Sequence, residues 1–508
     1  MREYHEATKL SPEQESSLRV DWADQPRPFK LYRDLERIPL PRELRASKVP
    51  AIELLDGAAN PSPRTAVLDL STLATLLHHS AGIIRRLTHR GGTMYFRAAA
   101  CTGALYHVEL YVVCGALPGL DAGVYHFGIN DFSLGRLRAG DFRGALNDAS
   151  GSEPHVASAS AVVVATSTFW RNAWRYGDRA YRHSFWDTGT ILANLLAMAE
   201  AHGLPVSVVA GFADCEVNSL LGVDGTNEAA VALIPLGGGH WPAPPPPFEA
   251  IDPTTVPVSA HQVRLPLIEH AHQASSLPAP SAVRAWREGA ALDATARADG
   301  EPAHTLLTNP GALSLDASLS PTSGGKPDDP IEVIIARRGS ARRFETRPIP
   351  LAALRFMLRA AERPMPSDVE SSPLDTFVHA ERVSGLQPGL YRVADDGHTI
   401  EQQIAGSLAN AVEEATVSNG IAIAAAASIF FVCDLAEVLR RYGERGYRVA
   451  QLHAGIRGGR LYLAAHAVGL AATGLTFFDD LVGGLVAPRE PAPGVLFMVA
   501  IGHPGARP

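Results

Sequence analysis

Apolar residues fall along this chain in short continuous runs, joined by stretches in which they return every three or four positions. HVELYVVCGAL from His107, AVVVATSTF from Ala161 and SIFFVCDL from Ser428 are β-branched or aromatic runs of strand length. They predict buried strands. IAIAAAASIFFVC at 421–433 is the longest apolar stretch. It is too short for a membrane helix, which needs about 20 residues, and predicts a strand with its approach. Helical pattern is expected after each strand. The two longest helical segments, TGTILANLLAMAEAHGL (188–204) and AGIRGGRLYLAAHAVGL (454–470), are rich in Gly and Ala. Small residues let helices approach closely, so these are either the contact between two units or each unit's own core helix. The pattern predicts an α+β fold.

The pattern also repeats. GLDAGVYHF at Gly119 returns as GLQPGLYRV at Gly385, and RYGDRAYR at Arg175 as RYGERGYR at Arg441, both 266 residues on. Gly189 matches Gly455, HGL at 202–204 matches VGL at 468–470, and FAD at 212–214 is matched to FDD at 478–480. Shared spacing across so many anchors indicates a duplicated unit. The expected boundaries are 1–245 and 326–508, with a linker over 246–325 that is Pro-rich at both ends (GGGHWPAPPPPFEAIDPTTVP, SLSPTSGGKPDDP) and helical between, as in SAVRAWREGAALDATARA.

Composition narrows the function. The 508 residues are 46% apolar and 19% charged, with a net charge of −8, which suits globular domains and argues against nucleic-acid binding. The first residues, MREYHEATKLSPEQESS, hold no apolar segment, so no signal peptide and no membrane partner are expected, and the expected location is cytoplasmic. Cys101, Cys114, Cys215 and Cys433 are scattered without metal spacing; neither disulfides nor a metal site are expected.

Against this acidic background ARRGSARRFETRPIP at 336–350 stands out. Asp329, Pro330 and Glu332 read as N-cap, first residue and capping-box acid of a helix that Gly339 stops. Arg337 and Arg338 then either complement the negative end of that helix or, with Ser340 and Arg342 beyond the turn, form a phosphate site, since guanidinium groups bind phosphate in bidentate fashion.

RRGSARRF…RPIP resembles the flavin-phosphate motif of the nitroreductase superfamily. Together with YHEATK, GALYHVELYVV, GLxxGxY and RYGxRxYR, it makes both halves similar to SagB/ThcOx-type dehydrogenases. The resemblance implies two nitroreductase-like domains, each a mixed sheet flanked by helices, packed as a pseudo-dimer within the chain. It also implies FMN at their interface, with phosphate arginines from one domain and a Ser/Gly loop from the other. Here the second half keeps Arg338, Gly339, Ser340 and Arg342, while the first reads NPSPR with only Ser62 and Arg64. The first keeps Ala100, Cys101, Thr102 and Gly103, while the second reads MPSDVESS. One complete site is therefore expected, with Thr473, Gly474 and Leu475 offering backbone N–H groups to the flavin ring.

The family's Lys-Tyr acid/base pair is replaced by Arg175-Tyr176 and Arg441-Tyr442. Arginine does not act as a base. The expectation is that Arg175 lowers the pKa of Tyr176, with Tyr442 the lesser candidate; the alternative is that the motif only packs. Cys101, His107, His183 and His453 read as structural. The implied activity is two-electron oxidation of a modified peptide or natural-product intermediate, of azoline-oxidase type, with oxygen as electron acceptor. An NAD(P)H-dependent nitro or quinone reductase and a non-catalytic peptide-binding duplicate are the alternatives. Further homo-oligomerisation is left open.

Overall fold

A computed structural model describes residues 1–17, 20–57, 66–89, 92–239, 242, 244–298, 313–315, 326, 328–369, 374–394, 398–487 and 493–506. Ser62 and Arg64 lie outside these residues.

The strand runs form two central sheets. The first holds β1 (Glu36–Pro39), β2 (Val108–Cys114), β3 (Gly123–Gly128), β4 (Ser133–Ala139), β5 (Ala161–Thr168) and β6 (Glu228–Leu236), in the order β1-β4-β3-β2-β5-β6. The second holds β7 (Leu313–Ser314), β8 (Phe344–Glu345), β9 (Asp375–Ala380), β10 (Gly389–Val393), β11 (Thr399–Ala405), β12 (Ala427–Cys433), β13 (Ala471–Gly474) and β14 (Gly494–Pro504). Its order is β8-β14-β12-β9-β10-β11-β7, with β13 also on β14. Cys114 faces Gly123 as Ala380 faces Gly389, so β2–β3 and β9–β10 are the same hairpin 266 residues apart. The pairings within both sheets are antiparallel. The expectation of a helix after each strand therefore fails at β2, which turns directly into β3. It holds at β5 and β12, which run into Phe169–Tyr176 and Leu435–Tyr442.

Two long helices, Ala180–Ala201 and Arg445–Ala467, are buried along most of their length and pack on each other. This settles the open alternative: the Gly/Ala-rich helices are the contact between the halves. A Cβ on Gly189 would lie 2.5 Å from the Gly455 carbonyl carbon, one on Gly455 2.6 Å from the Trp186 carbonyl oxygen, and one on Gly459 2.5 Å from the Ala193 Cβ. At Gly189 and Gly455 backbone meets backbone, because neither carries a side chain.

RYGxRxYR straddles the start of each long helix. Gly177 and Gly443 adopt φ of +54° and +58°, a turn that favours glycine. The later arginines cross the interface. Arg179 and Arg182 donate to Asp479, each at 2.6 Å, and Arg445 and Arg448 donate to Asp214, each at 2.6 Å. Asp479 and Asp214 open the matching helices Asp479–Val486 and Asp214–Leu221. The matching of FAD to FDD at 478–480 is thus one residue out. Phe212 and Phe477, each beneath an arginine of the other half, are the true partners, so the second copy is one residue shorter just before them.

The segment 246–325 is also not a linker throughout. The N-terminal helix Arg2–Ala7 presents the His5 carbonyl and Thr8 hydroxyl to Arg182, and the Leu10 N–H to Asp479. Helix Pro266–Ala274 presents the His272 carbonyl and Ser275 hydroxyl to Arg448, and the Leu277 N–H to Asp214. HEAT and HQAS are the same element, and the second copy begins here. Leu313–Ser314, from the same segment, edges the second sheet as β7.

Candidate functional site

The chain from Arg337 to Arg342 lies across the interface from the first half. Its helix is Ile331–Arg337, capped by Pro330 without a side-chain bond, one residue later than expected. Asp329 binds Arg337, and Glu332 accepts from the Ser47 hydroxyl at 2.6 Å, so neither serves the predicted capping box. The helix stops because Arg338 turns extended (φ −55°, ψ 137°), not through a left-handed Gly339. Arg338 is buried; its Nε and Nη2 donate to the carbonyls of Ala98 and Arg97 in the first half at 2.9 and 3.3 Å. Its Nη1 is buried without a partner. Ser340 pairs with Ala472 and its hydroxyl lies 3.2 Å from that of Tyr462. Arg342 is exposed.

The first half supplies a strained loop. Gly103, Ala104 and Tyr106 adopt φ of +61°, +54° and +50°. For non-glycine residues that conformation costs about 1–2 kcal/mol each, and such strain gathers at functional sites. A Cβ on Gly103 would sit 2.8 Å from the Tyr176 hydroxyl, so the phenol lies directly on this glycine. Arg175 stands 5.6 Å from the Tyr176 ring centre, and the Arg342 charge also acts on the phenol. Asp187, from the long helix, ties the loop down: it accepts from the Cys101 thiol at 3.0 Å, the Thr102 N–H at 3.0 Å and the Thr102 hydroxyl at 2.9 Å. Thr190 holds the Ala100 carbonyl at 2.6 Å. Behind the loop is a small pocket lined by Arg97, Ala100, Cys101, Tyr106 and Asp187 among others.

The expected residues Arg338, Ser340, Arg342, Ala100, Cys101, Thr102, Gly103, Arg175 and Tyr176 thus gather on one side of the interface. Two expectations are corrected. Burial pushes the Tyr176 phenol up to about 12, although Arg175 and Arg342 pull the other way, so it is not a base poised near neutrality. Thr473 lies in β13, and the backbone N–H groups of Gly474 and Leu475 are already given, to the Tyr462 hydroxyl at 2.5 Å and the Met498 carbonyl at 3.3 Å. Sequence reasoning missed Tyr462, whose ring lies 5.5 Å from the Arg338 guanidinium, and Asp187, one helical position among many.

The matching place on the other side is filled. Tyr442 is buried, and its carbonyl accepts from the Trp286 indole N–H at 2.7 Å. Asp368, at the position of Thr102, accepts from the N–H groups of Ala210 and Gly211 at 2.8 Å each. Trp286 presses on Gly211, where a Cβ would meet the indole at 2.6 Å.

The Nitroreductase family profile matches residues 68–238 and again 335–503. The chain belongs to the nitroreductase family, twice over. Among curated relatives, a Methanocaldococcus jannaschii protein described as a nitroreductase is 28% identical over 142 residues, covering 28% of this chain and 70% of that one. The trifolitoxin-processing protein TfxB of Rhizobium leguminosarum bv. trifolii is 31% identical over 178 residues, covering 34% of this chain and 47% of TfxB, about half its length. A crystal structure from Anabaena variabilis, described as a nitroreductase, superposes with a TM-score of 0.75 at 26% identity over 99% of both chains. The double-length layout is therefore shared with that protein. No helix among the described residues is long and apolar enough to cross a membrane.

Proposed function

We propose that the chain is an FMN-dependent dehydrogenase of SagB/ThcOx type, with one working site per chain, that oxidises a modified peptide or a similar natural-product intermediate. The observation that carries the reading is the buried Arg338 guanidinium, whose unpartnered Nη1 fits a phosphate oxygen beside Ser340 and Arg342. A buried donor left without a partner costs about 1–3 kcal/mol, and a phosphate relieves that cost. The relative TfxB, named for trifolitoxin processing, supports a peptide substrate. The bound flavin supplies two-electron acceptance, and oxygen is the proposed final acceptor.

In this reading Arg338, Ser340 and Arg342 hold the phosphate, and Ala100 to Gly103 shape the wall beside the ring. Tyr176 lies over Gly103 and stays a neutral phenol near neutrality. It orients the substrate by donating a hydrogen bond, while Arg175 clamps a substrate carbonyl or carboxylate. To take a proton from substrate carbon the phenol must first ionise, assisted by the Arg175 and Arg342 charges. Oxidation turnover should therefore rise with pH up to the phenol's high pKa.

The same neutral phenol favours a second reading, reduction of a nitro compound or quinone with NAD(P)H, in which Tyr176 donates a proton. Incubating the purified protein with an azoline-containing peptide separates the two. Loss of two hydrogens from the peptide, without added nicotinamide, is the expected result. No mass change, together with rapid NADPH-dependent quinone reduction, would overturn the first reading.

A further inference from the structure

The loop that carries Gly103 holds three metal-type donors. The Cys101 thiol, the His107 imidazole and the Asp187 carboxylate each offer one atom, all within 4.8 Å of one another. His107 and Asp187 are buried and Cys101 is half-buried. Cys101 and His107 stand close together ahead of β2, but Asp187 follows 80 residues after His107, on the long helix, so no spacing rule exposes the set. We propose that they form a binding site for a zinc-type divalent cation.

Asp187 is a buried carboxylate, and among the described residues no lysine or arginine pairs with it; its one ion-pair contact is His107 Nε2 at 2.8 Å. Buried charges are normally paired or bound to metals. The arrangement of hydrogen bonds points the same way. Thr102 holds Oδ1 of Asp187 through its hydroxyl at 2.9 Å and reaches both oxygens through its N–H at 3.0 Å, while Oδ2 also receives the Cys101 S–H at 3.0 Å and faces His107 Nε2 at 2.8 Å. Two side-chain donors converge on this oxygen, where a single cation can replace both protons.

The proton balance closes within the site. On binding, the thiol loses its proton to solvent and becomes a thiolate ligand. The imidazole coordinates through Nε2 as the Nδ1–H tautomer. Nδ1 lies 2.9 Å from the Ser167 hydroxyl oxygen, which can accept, and the Ser167 hydroxyl in turn reaches Ser184 Oγ at 2.9 Å. A metal-bound histidine normally donates its other N–H in this way. Thiolate, imidazole and one carboxylate oxygen are zinc-type ligands, and a water completes four-coordination. Cys101 and Asp187 both line the small pocket behind the loop, the side from which that water would bind.

The duplication supplies an internal control. With the spacing of 266, the sequence has Ser367, Pro373 and His453 in place of Cys101, His107 and Asp187, so only the first copy carries the donor set. The site does not depend on the flavin reading, because its readouts are metal content and proton release.

The test uses full-length protein, stripped with a chelator and then given zinc or cobalt. About one zinc per chain should be taken up with release of a thiol proton, and cobalt should give a thiolate charge-transfer band. Cys101→Ala and His107→Ala should each weaken uptake by more than about 100-fold, since outer contacts alone change affinity by about 10- to 100-fold. Cys215→Ala, an exposed cysteine, should change nothing. Circular dichroism checks that each variant is folded; if His107→Ala is not, Cys101→Ala decides alone. The proposal is overturned if stripped wild-type protein takes up neither ion, or if Cys101→Ala binds zinc as wild type does.

Discussion

Replacing Asp479 tests how the halves are held together. Its carboxylate receives Arg179 and Arg182 at 2.6 Å each and the Leu10 N–H at 2.9 Å. Both guanidinium groups are buried, with side chains 7% and 0% exposed. Asp479→Ala strands two buried cations and one N–H. Breaking a buried pair by removing one partner costs about 3–5 kcal/mol, a large part of the roughly 5–15 kcal/mol typical of a native protein. Asp479→Asn still accepts from Leu10 but loses the charge, so it should fall between Ala and wild type. The arginines should differ too. All three nitrogens of Arg182 are engaged, whereas Nε and Nη2 of Arg179 are buried without partners, so Arg179→Met should cost less than Arg182→Met. Replacing all three residues with apolar ones should restore much of the loss, because no buried charge remains. Urea unfolding at neutral pH, followed by tryptophan fluorescence, measures each variant. An Asp479→Ala protein within about 1 kcal/mol of wild type would refute the reasoning, since it would place this pair with exposed ion pairs.

Tyr176→Phe should keep the fold but lose roughly 100- to 10,000-fold in turnover, while Tyr442→Phe, behind Trp286, should lose far less; steady-state kinetics of the two variants checks this. Gly189→Ala should destabilise, because contact with the Gly455 backbone at 2.5 Å outweighs the roughly 1 kcal/mol helix preference of Ala. Gly289→Ala, in a helix with nothing within 4 Å of the new Cβ, should gain up to about that amount, and paired thermal melts compare them. Arginine partners hold Asp214 and Asp479 down to about 2, below the ordinary 3.8. Depressed carboxyl pKa values stabilise the fold above the unfolded pKa and lose that contribution as pH falls toward 2, so stability should be level near neutrality and drop below about pH 4, by about 2 kcal/mol per group. Denaturation midpoints across pH test the slope, which Asp214→Asn should reduce.

Much of this was legible because the duplication preserves what the interface needs. RYGxRxYR repeats because Arg179, Arg182, Arg445 and Arg448 each cross to the other half, and the paired glycines repeat because two backbones touch. The arginine segment was readable because so much fixed charge around Gly339 and Ser340 is unusual in an acidic chain. The start of the second copy was not. HEAT and HQAS share only small residues and one histidine, and what they share structurally is backbone groups offered to arginine, which leave little trace in side-chain identity. The slip before Phe477 was hidden because a second aspartate, Asp480, made a false match look complete. The filling of the second site was illegible for another reason: Asp368 and Trp286 stand 82 positions apart with no shared motif, and only folding brings both onto Gly211. The Tyr176 pKa was misjudged because an adjacent arginine can be counted in sequence, whereas the burial that outweighs it cannot.

The proposed flavin site occurs once per chain, built from Arg338, Ser340 and Arg342 of one half and the Cys101–Gly103 loop of the other. Flavin released by acid from purified, FMN-saturated protein, quantified against chain concentration, tests it most directly. A ratio of about one is expected. A ratio near two would show that the side closed by Trp286 and Asp368 also binds flavin, and a ratio of zero after saturation would remove the cofactor from the site altogether.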